Sequence, residues 1–254
     1  MNVADPTKRF SDRVENYIKY RPSYPREVLS YLANKCKLTA GSAIADVGSG
    51  TGIFSGLLLA QGYRVYAVEP NESMQEAAIM QFGNDENFVP VAGTAETTSL
   101  PSNSIDLIVC AQAFHWFDAE KSKTEFKRIL KNDGMVALIW NNRDAETDEF
   151  AAAYENLLKR DSVDYNKVNH RNIDDINFKA FFKDSIYEAV KYPNVQVFDE
   201  EGLSGRAFSS SYVPAKDTEE GKKFKGLLAV LFTKYNTGEK VSFHYQTEVY
   251  LGKV

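Results

Sequence analysis

Cysteine is almost missing: Cys36 and Cys110 are too few for a disulfide framework. Histidine is equally scarce, and His115, His170 and His244 are too widely spaced for a zinc motif, so no metal is expected. Long apolar runs are absent too. The densest, at 56–60 and 135–140, fall far short of the ~18 residues of a membrane span. The first ten residues contain Asp5, Pro6, Lys8 and Arg9 and lack the apolar core of a secretory signal. There is no excess of basic residues either. Thirty Lys and Arg against 35 Asp and Glu leave a net charge of −5, which weighs against a protein whose main work is gripping nucleic acid. A cytoplasmic protein is expected, monomeric or homodimeric, with no membrane or nucleic-acid partner.

What is present is core-forming material. The 16 Phe and 14 Tyr, in a chain that is 43% hydrophobic, are too much for a disordered protein. Asp5 can cap a first helix with Pro6 in its first turn, and Phe10, Val14, Tyr17 and Ile18 then share one face. Tyr20-Arg21-Pro22 ends that helix, and a second from Pro25 turns Val28, Leu29 and Leu32 inward. From Ser42 the period changes. Short apolar or β-branched runs at 42–47, 64–68, 88–92, 105–110 and 135–140 alternate with helical stretches at 53–61, 71–82 and 119–131. That alternation predicts right-handed βαβ units and a doubly wound α/β sheet. Beyond Trp140 the expectation is a helix over 144–160, then a polar stretch over 161–177. A strand-turn-strand around Pro193, a helix over 218–235 and a final strand over 241–254 follow. The whole reads as one structural domain. It comprises a helical cap (1–40), a ligand-binding core (41–143), an insertion or lid (144–240) and the closing strand.

The segment Ile44-Ala-Asp-Val-Gly-Ser-Gly-Thr-Gly-Ile-Phe leaves a strand, passes Gly48, Gly50 and Gly52, and enters a helix. Glycines let backbone approach a ligand closely, and the helix N-terminus offers free N–H groups. The dinucleotide fingerprint would place its third glycine at position 53, which is Ile53. Asp46, two places before the first glycine, would repel a pyrophosphate and suits a ligand carrying an ammonium group instead. Glu69 ends the second strand, 21 residues after Gly48, where a carboxylate can accept from both hydroxyls of a ribose. Met74 on the next helix can lie on a purine face through its sulfur. Each feature has a plainer explanation: tight turns need glycine, surfaces carry glutamate, and cores hold methionine.

Taken in order, Asp46-Val-Gly-Ser-Gly-Thr-Gly, Val68-Glu69-Pro70, Gly93-Thr-Ala-Glu96, Leu100-Pro101 and Ile105-Asp106-Leu-Ile resemble the class I S-adenosylmethionine-dependent methyltransferases. Three further segments are similar to the type 11 subgroup that includes trans-aconitate methyltransferase-like proteins. They are Phe10-Ser11-Asp12, the run from Tyr17 to Pro25, and Phe114-His115-Trp116-Phe117. The resemblance implies a Rossmann-like methyltransferase fold, with a mostly parallel seven-stranded sheet, helices on both faces and a helical or irregular C-terminal insertion. It implies S-adenosyl-L-methionine as cofactor. The loop 48–52 would lie against its methionine part, Asp46 would orient the ammonium group, and Glu69 would hold the ribose. Met74 would cover the adenine, whose edge Ala95 and Glu96 would read. Ala111 would stand at the sheet's carboxyl edge.

Tyr17, Tyr20 and Arg21 can fold over this site, Arg21 pairing with a carboxylate of cofactor or acceptor. His115 or Trp116 can wall the cofactor rim, Trp116 is an acceptor-binding candidate, and His115 can serve as general base. Asn141 and Arg143, ending the fifth strand, are acceptor-binding candidates because arginine makes forked bonds to carboxylates. The signature of amino-methyltransferases is missing after the fourth strand, where the chain reads Ala111-Gln112-Ala113-Phe114. The reading is therefore a methyltransferase acting on a small molecule, by in-line O-methylation of an acidic metabolite. A nucleotide-dependent oxidoreductase and a non-catalytic cofactor-binding module are the alternatives.

Overall fold

The computed structural model describes residues 14–163, 165 and 175–254. The expected cap at Asp5 and Pro6, the segment Phe10-Ser11-Asp12, and most of the polar stretch after Asp161 lie outside the described residues.

Seven strands form one sheet: β1 (Ala43–Val47), β2 (Arg64–Val68), β3 (Phe88–Val91), β4 (Ile105–Ala111), β5 (Leu130–Arg143), β6 (Glu188–Phe198) and β7 (Val241–Gly252). Their spatial order is β3-β2-β1-β4-β5-β7-β6. β1 to β5 pair in parallel, and β7 runs antiparallel between β5 and β6. The chain winds outward from β1 to β3, then jumps back to lay β4 on the other side of β1. Ligands of open α/β sheets bind at the carboxyl ends of the strands at such a reversal. The central strands are apolar on both sides because helices cover both faces.

Two of these layers come from the helices named next. On one face α2 (Arg26–Lys35) and α3 (Ile53–Leu59) bring Val28, Leu32, Phe54 and Leu58 against Ile44, Leu107 and Ile139. On the other, α5 (Ala119–Ile129) and α7 (Asp175–Phe181) bring Phe126, Ile129 and Phe181 against Ile108, Val136 and Leu138. α4 (Glu72–Phe82) begins directly after β2, where Asn71 caps it by accepting from the Met74 N–H. A third cluster lies beyond the sheet's end. α6 (Glu149–Asp161), α8 (Glu200–Phe208) and α9 (Glu219–Tyr235) pack there on Phe243 and Tyr245 of β7.

The structure departs from expectation at three places. Pro193 breaks nothing: β6 is one continuous strand, because it lies at the sheet edge with β7 as its partner, so a missing N–H can face away from the ladder. β5 starts at Leu130, absorbing Asn132-Asp133-Gly134 where a helix end was expected. Ile105 pairs with Leu130 and Leu107 with Met135, so the extra residues form an irregularity in the strand rather than a turn. α8 is a helix for which the sequence reading makes no provision. A Cβ on Gly205 would come 2.0 Å from the Tyr20 ring, so the glycine lets the first helix, α1 (Val14–Tyr20), lie directly on α8.

Candidate functional site

The turn after β1 is held against β2: the amides of Gly48 and Ser49 both donate to the Val68 carbonyl, at 2.9 and 3.2 Å. Gly48 has φ +73°, and a Cβ there would meet the Ala113 Cβ at 2.5 Å, so both conformation and space demand glycine. Gly52, also at positive φ, opens α3 without a side-chain cap.

Glu69 leaves β2 at the carboxyl edge and is only 8% exposed. Its Oε2 accepts from the Gly50 N–H and its Oε1 from the Asn71 N–H, both at 2.8 Å. Two backbone amides thus fix the carboxylate, and each oxygen retains a lone pair for a ligand. Burial raises its pKa, and these amides pull it back. Asp46 is deeper, 1% exposed. Its Oδ2 accepts from the Ser55 hydroxyl at 2.7 Å, while Oδ1 is buried with no partner. Burial pushes this carboxyl up to about 7; the Ser55 hydrogen bond opposes the shift and the charge of Glu69 adds to it.

A cleft of about 260 Å³ opens where the chain reverses. Gly48, Gly50, Glu69 and Met74 line one side of it. Ala95, Glu96, Ala111 and Trp116 line it too, so eight of the sequence-predicted residues meet in one cavity. Thr94 and Thr97 exchange backbone hydrogen bonds around Ala95 and Glu96, forming a tight turn at the cleft wall. Glu96 is anchored by the Asp118 N–H, 2.9 Å from its Oε1. Residues not singled out as ligands line the cleft too, among them Asn71, Gln112 and Phe117. Gln112 has φ +58°, a strained backbone at the end of β4 that only structure reveals.

The other expected residues lie elsewhere. Asp46 and Gly52 sit behind the loop and do not line the cleft. His115 belongs to a short 3-10 turn anchored by Phe114, which packs on Phe181 and Trp140; Trp116 reaches the cleft and His115 is not among its lining residues. Tyr20 donates to Glu201 at 3.1 Å, outside the cleft. Asn141 is buried, donating to the Ser23 carbonyl and accepting from Thr247, so it ties β5 to β7 and to the segment before α2. Arg143 donates to Glu155 at 2.6 Å and stacks 4.7 Å from the Tyr154 ring centre. Arg21 donates to the Ser209 carbonyl at 2.9 Å and lies 4.7 Å from the ring centre of Tyr17, which itself lines the cleft. Arg21 and Arg143 therefore belong to a second polar cluster adjoining the cleft, together with Arg206 and Tyr212, to which the sequence assigns no role.

Residues 45–138 match the family model described as a methyltransferase domain. An uncharacterised methyltransferase of Mycobacterium tuberculosis is 36% identical over 143 residues, covering 55% of each chain. The chain thus spans about half the length of the curated relatives it matches. Among solved structures, a candidate type II methyltransferase from Anaeromyxobacter dehalogenans superposes with a TM-score of 0.67 at 22% identity, covering 92% of this chain and 98% of that one. A methyltransferase from Thiobacillus denitrificans, solved with S-adenosyl-L-homocysteine, gives 0.54 at 17% identity, covering 96% and 97%. The chain carries a methyltransferase-like domain on the Rossmann-like fold of methyltransferases.

Proposed function

We propose that the protein is an S-adenosylmethionine-dependent methyltransferase acting on a small molecule, and that it O-methylates an acidic metabolite. The observation that carries this reading is Glu69, held by two backbone amides in a cleft at the sheet's reversal, beside the glycine loop. The residues present fit the cofactor. The buried Oδ1 of Asp46 lacks a partner, and an ammonium group, directly or through water, would supply one. Glu69 has lone pairs for two vicinal hydroxyls. Met74 offers a polarizable sulfur to a flat base. The turn carrying Ala95 and Glu96 presents backbone and carboxylate to that base's edge.

When bound, S-adenosylmethionine supplies a methyl group activated on a sulfonium. The protein's share is then to position and to exclude water. Trp116 and Phe117 wall the cleft with apolar surface. An acid acceptor is already a nucleophile at neutral pH, so no residue need remove a proton, and the chemistry makes no demand on His115. Arg21 adjoins the cleft through Tyr17, which puts a cation where an acid could dock. The test is turnover of S-adenosylmethionine to S-adenosylhomocysteine against a panel of carboxylic acids, phenols and amines. Activity on carboxylic acids is expected. Activity confined to amines would overturn the acceptor class, and no turnover on any acceptor would overturn the reading.

A further inference from the structure

Of the non-glycine residues that line the cleft, Gln112 alone has a left-handed backbone, at φ +58°. Glycine adopts that conformation freely and asparagine with little strain, whereas a longer side chain is disfavoured there. The surroundings explain the turn but not the residue. The Gln112 N–H donates to the Ile139 carbonyl at 2.8 Å, which carries the β4–β5 ladder one residue past the end of β4. Ala113 then folds back against the glycine loop, where a Cβ on Gly48 would meet its own at 2.5 Å. Glycine at 112 would make the same turn without strain, so the glutamine side chain has a reason of its own to be there.

That side chain is oriented. Its Nε2 donates to the Asn141 carbonyl over a long 3.4 Å. A carbonyl only accepts, so the amide nitrogen faces β5 and Oε1 faces away from it. Asn141 is itself fixed by Ser23, Asn194 and Thr247. Among the described residues none donates to Oε1 of Gln112. Its neighbours on the β4 side of the cleft, Ala111, Ala113, Trp116 and Phe117, bring no side-chain oxygen.

The sheet order puts these residues across β1 from Glu69, Met74 and Glu96, which follow β2 and β3. With the ribose and the base on that side, the sulfur end of S-adenosylmethionine falls to the β4 side. The cofactor and its demethylated product differ only at that end. A sulfonium carries a full positive charge, shared with the hydrogens of its methyl group, and the thioether of S-adenosylhomocysteine carries none. A carbonyl oxygen attracts the first, through the charge and through weak C–H···O contacts, and not the second.

We propose that Gln112 is the residue that tells S-adenosylmethionine from S-adenosylhomocysteine, its Oε1 holding the sulfonium and its methyl group. This rests on the methyltransferase reading above. As an acceptor oxygen bonds to the methyl carbon, the S–C bond breaks and its electron pair stays on sulfur. The charge that Gln112 holds is thereby removed, so this contact favours substrate and lets product go.

Titration calorimetry of the full chain with S-adenosylmethionine and, separately, with S-adenosylhomocysteine tests this through the ratio of the two dissociation constants. The rest of the two ligands is identical, so a merely structural role for Gln112 would move both constants alike. Gln112→Leu keeps the bulk and removes the oxygen; it should weaken S-adenosylmethionine about three- to tenfold relative to S-adenosylhomocysteine. Gln112→Glu puts a negative charge in its place and should shift the ratio the other way, by about threefold or more. Gln112→Asn, shorter and better suited to a left-handed backbone, should behave as the leucine variant does, and replaces it if that variant does not fold. Retained binding of S-adenosylhomocysteine is the sign of a folded site. A ratio unchanged in the folded variants, or shifted the same way by leucine and glutamate, would overturn the role of Gln112 and leave the methyltransferase reading in place. A wild-type chain that binds neither ligand would overturn both.

Discussion

Asp46→Asn should make the protein more stable and a poorer binder of its cofactor. The carboxyl of Asp46 is raised from 3.8 to about 7, first by burial. A carboxyl with a raised folded-state pKa gives up stability as pH rises: its contribution is complete below pH 3.8 and lost by about pH 7. A shift of that size corresponds to roughly 4 kcal/mol of ionisation cost at alkaline pH. Asparagine is nearly isosteric and does not ionise, and its carbonyl can still accept from Ser55. Its amide would occupy the position of Oδ1 without a partner, which costs about 1–3 kcal/mol. The net gain expected at pH 8 is therefore about 1–3 kcal/mol, or several degrees in Tm for a domain of this size. Urea unfolding of both proteins from pH 5 to 8 reads it directly. The advantage of the variant should grow up to about pH 7 and then level off. A variant less stable than wild type at pH 8, or a gap that does not change with pH, would refute the placement of a buried, partnerless carboxylate oxygen behind the glycine loop. The same substitution should weaken S-adenosylmethionine binding, as expected where a strained group is kept for function.

Other substitutions probe the same frame. Glu69→Ala removes the acceptor for two backbone amides and for the ligand; cofactor affinity should drop by about 1.5–3 kcal/mol while circular dichroism stays native. Gly48→Ala combines a disfavoured positive φ with overlap on Ala113, and denaturant unfolding should show a loss of about 2–4 kcal/mol. Glu125 accepts from both the N–H and the hydroxyl of Thr98 and pairs with Arg128, which anchors the loop after the Ala95–Glu96 turn. The hydrogen bond from Arg128, above all, holds its pKa at about 2, so its contribution is complete above pH 4.5 and lost as pH falls toward 2. Glu125→Gln should cost about 1–2 kcal/mol at neutral pH and flatten the acid limb of the stability profile.

How much the sequence discloses depends on how local the controlling physics is. Asp46, the glycines and Glu69 lie within two adjacent βα units, where spacing alone brings them together, and the cleft gathers Gly48, Gly50 and Glu69. The strands from β1 to β4 are similarly legible, because each is a short apolar run bounded by turn residues. Pro193 misleads because tolerance of proline depends on whether a strand is at an edge, and that is a property of the finished sheet. α8 is hidden for a related reason: Gly205 serves the neighbouring Tyr20 rather than its own helix. The sequence alone assigns Arg206 and Tyr212 no role. Their meaning comes from Arg21, which reaches them only because α1 lies across α8.

Titration of the purified chain with S-adenosylmethionine, and separately with NAD, bears most directly on the central claim. One equivalent of S-adenosylmethionine should bind with low-micromolar affinity, about −8 kcal/mol, while NAD gives no saturable signal and Glu69→Ala weakens the binding about ten- to a hundredfold. Saturable binding of NAD with none of S-adenosylmethionine, or S-adenosylmethionine binding that Glu69→Ala leaves unchanged, would contradict it.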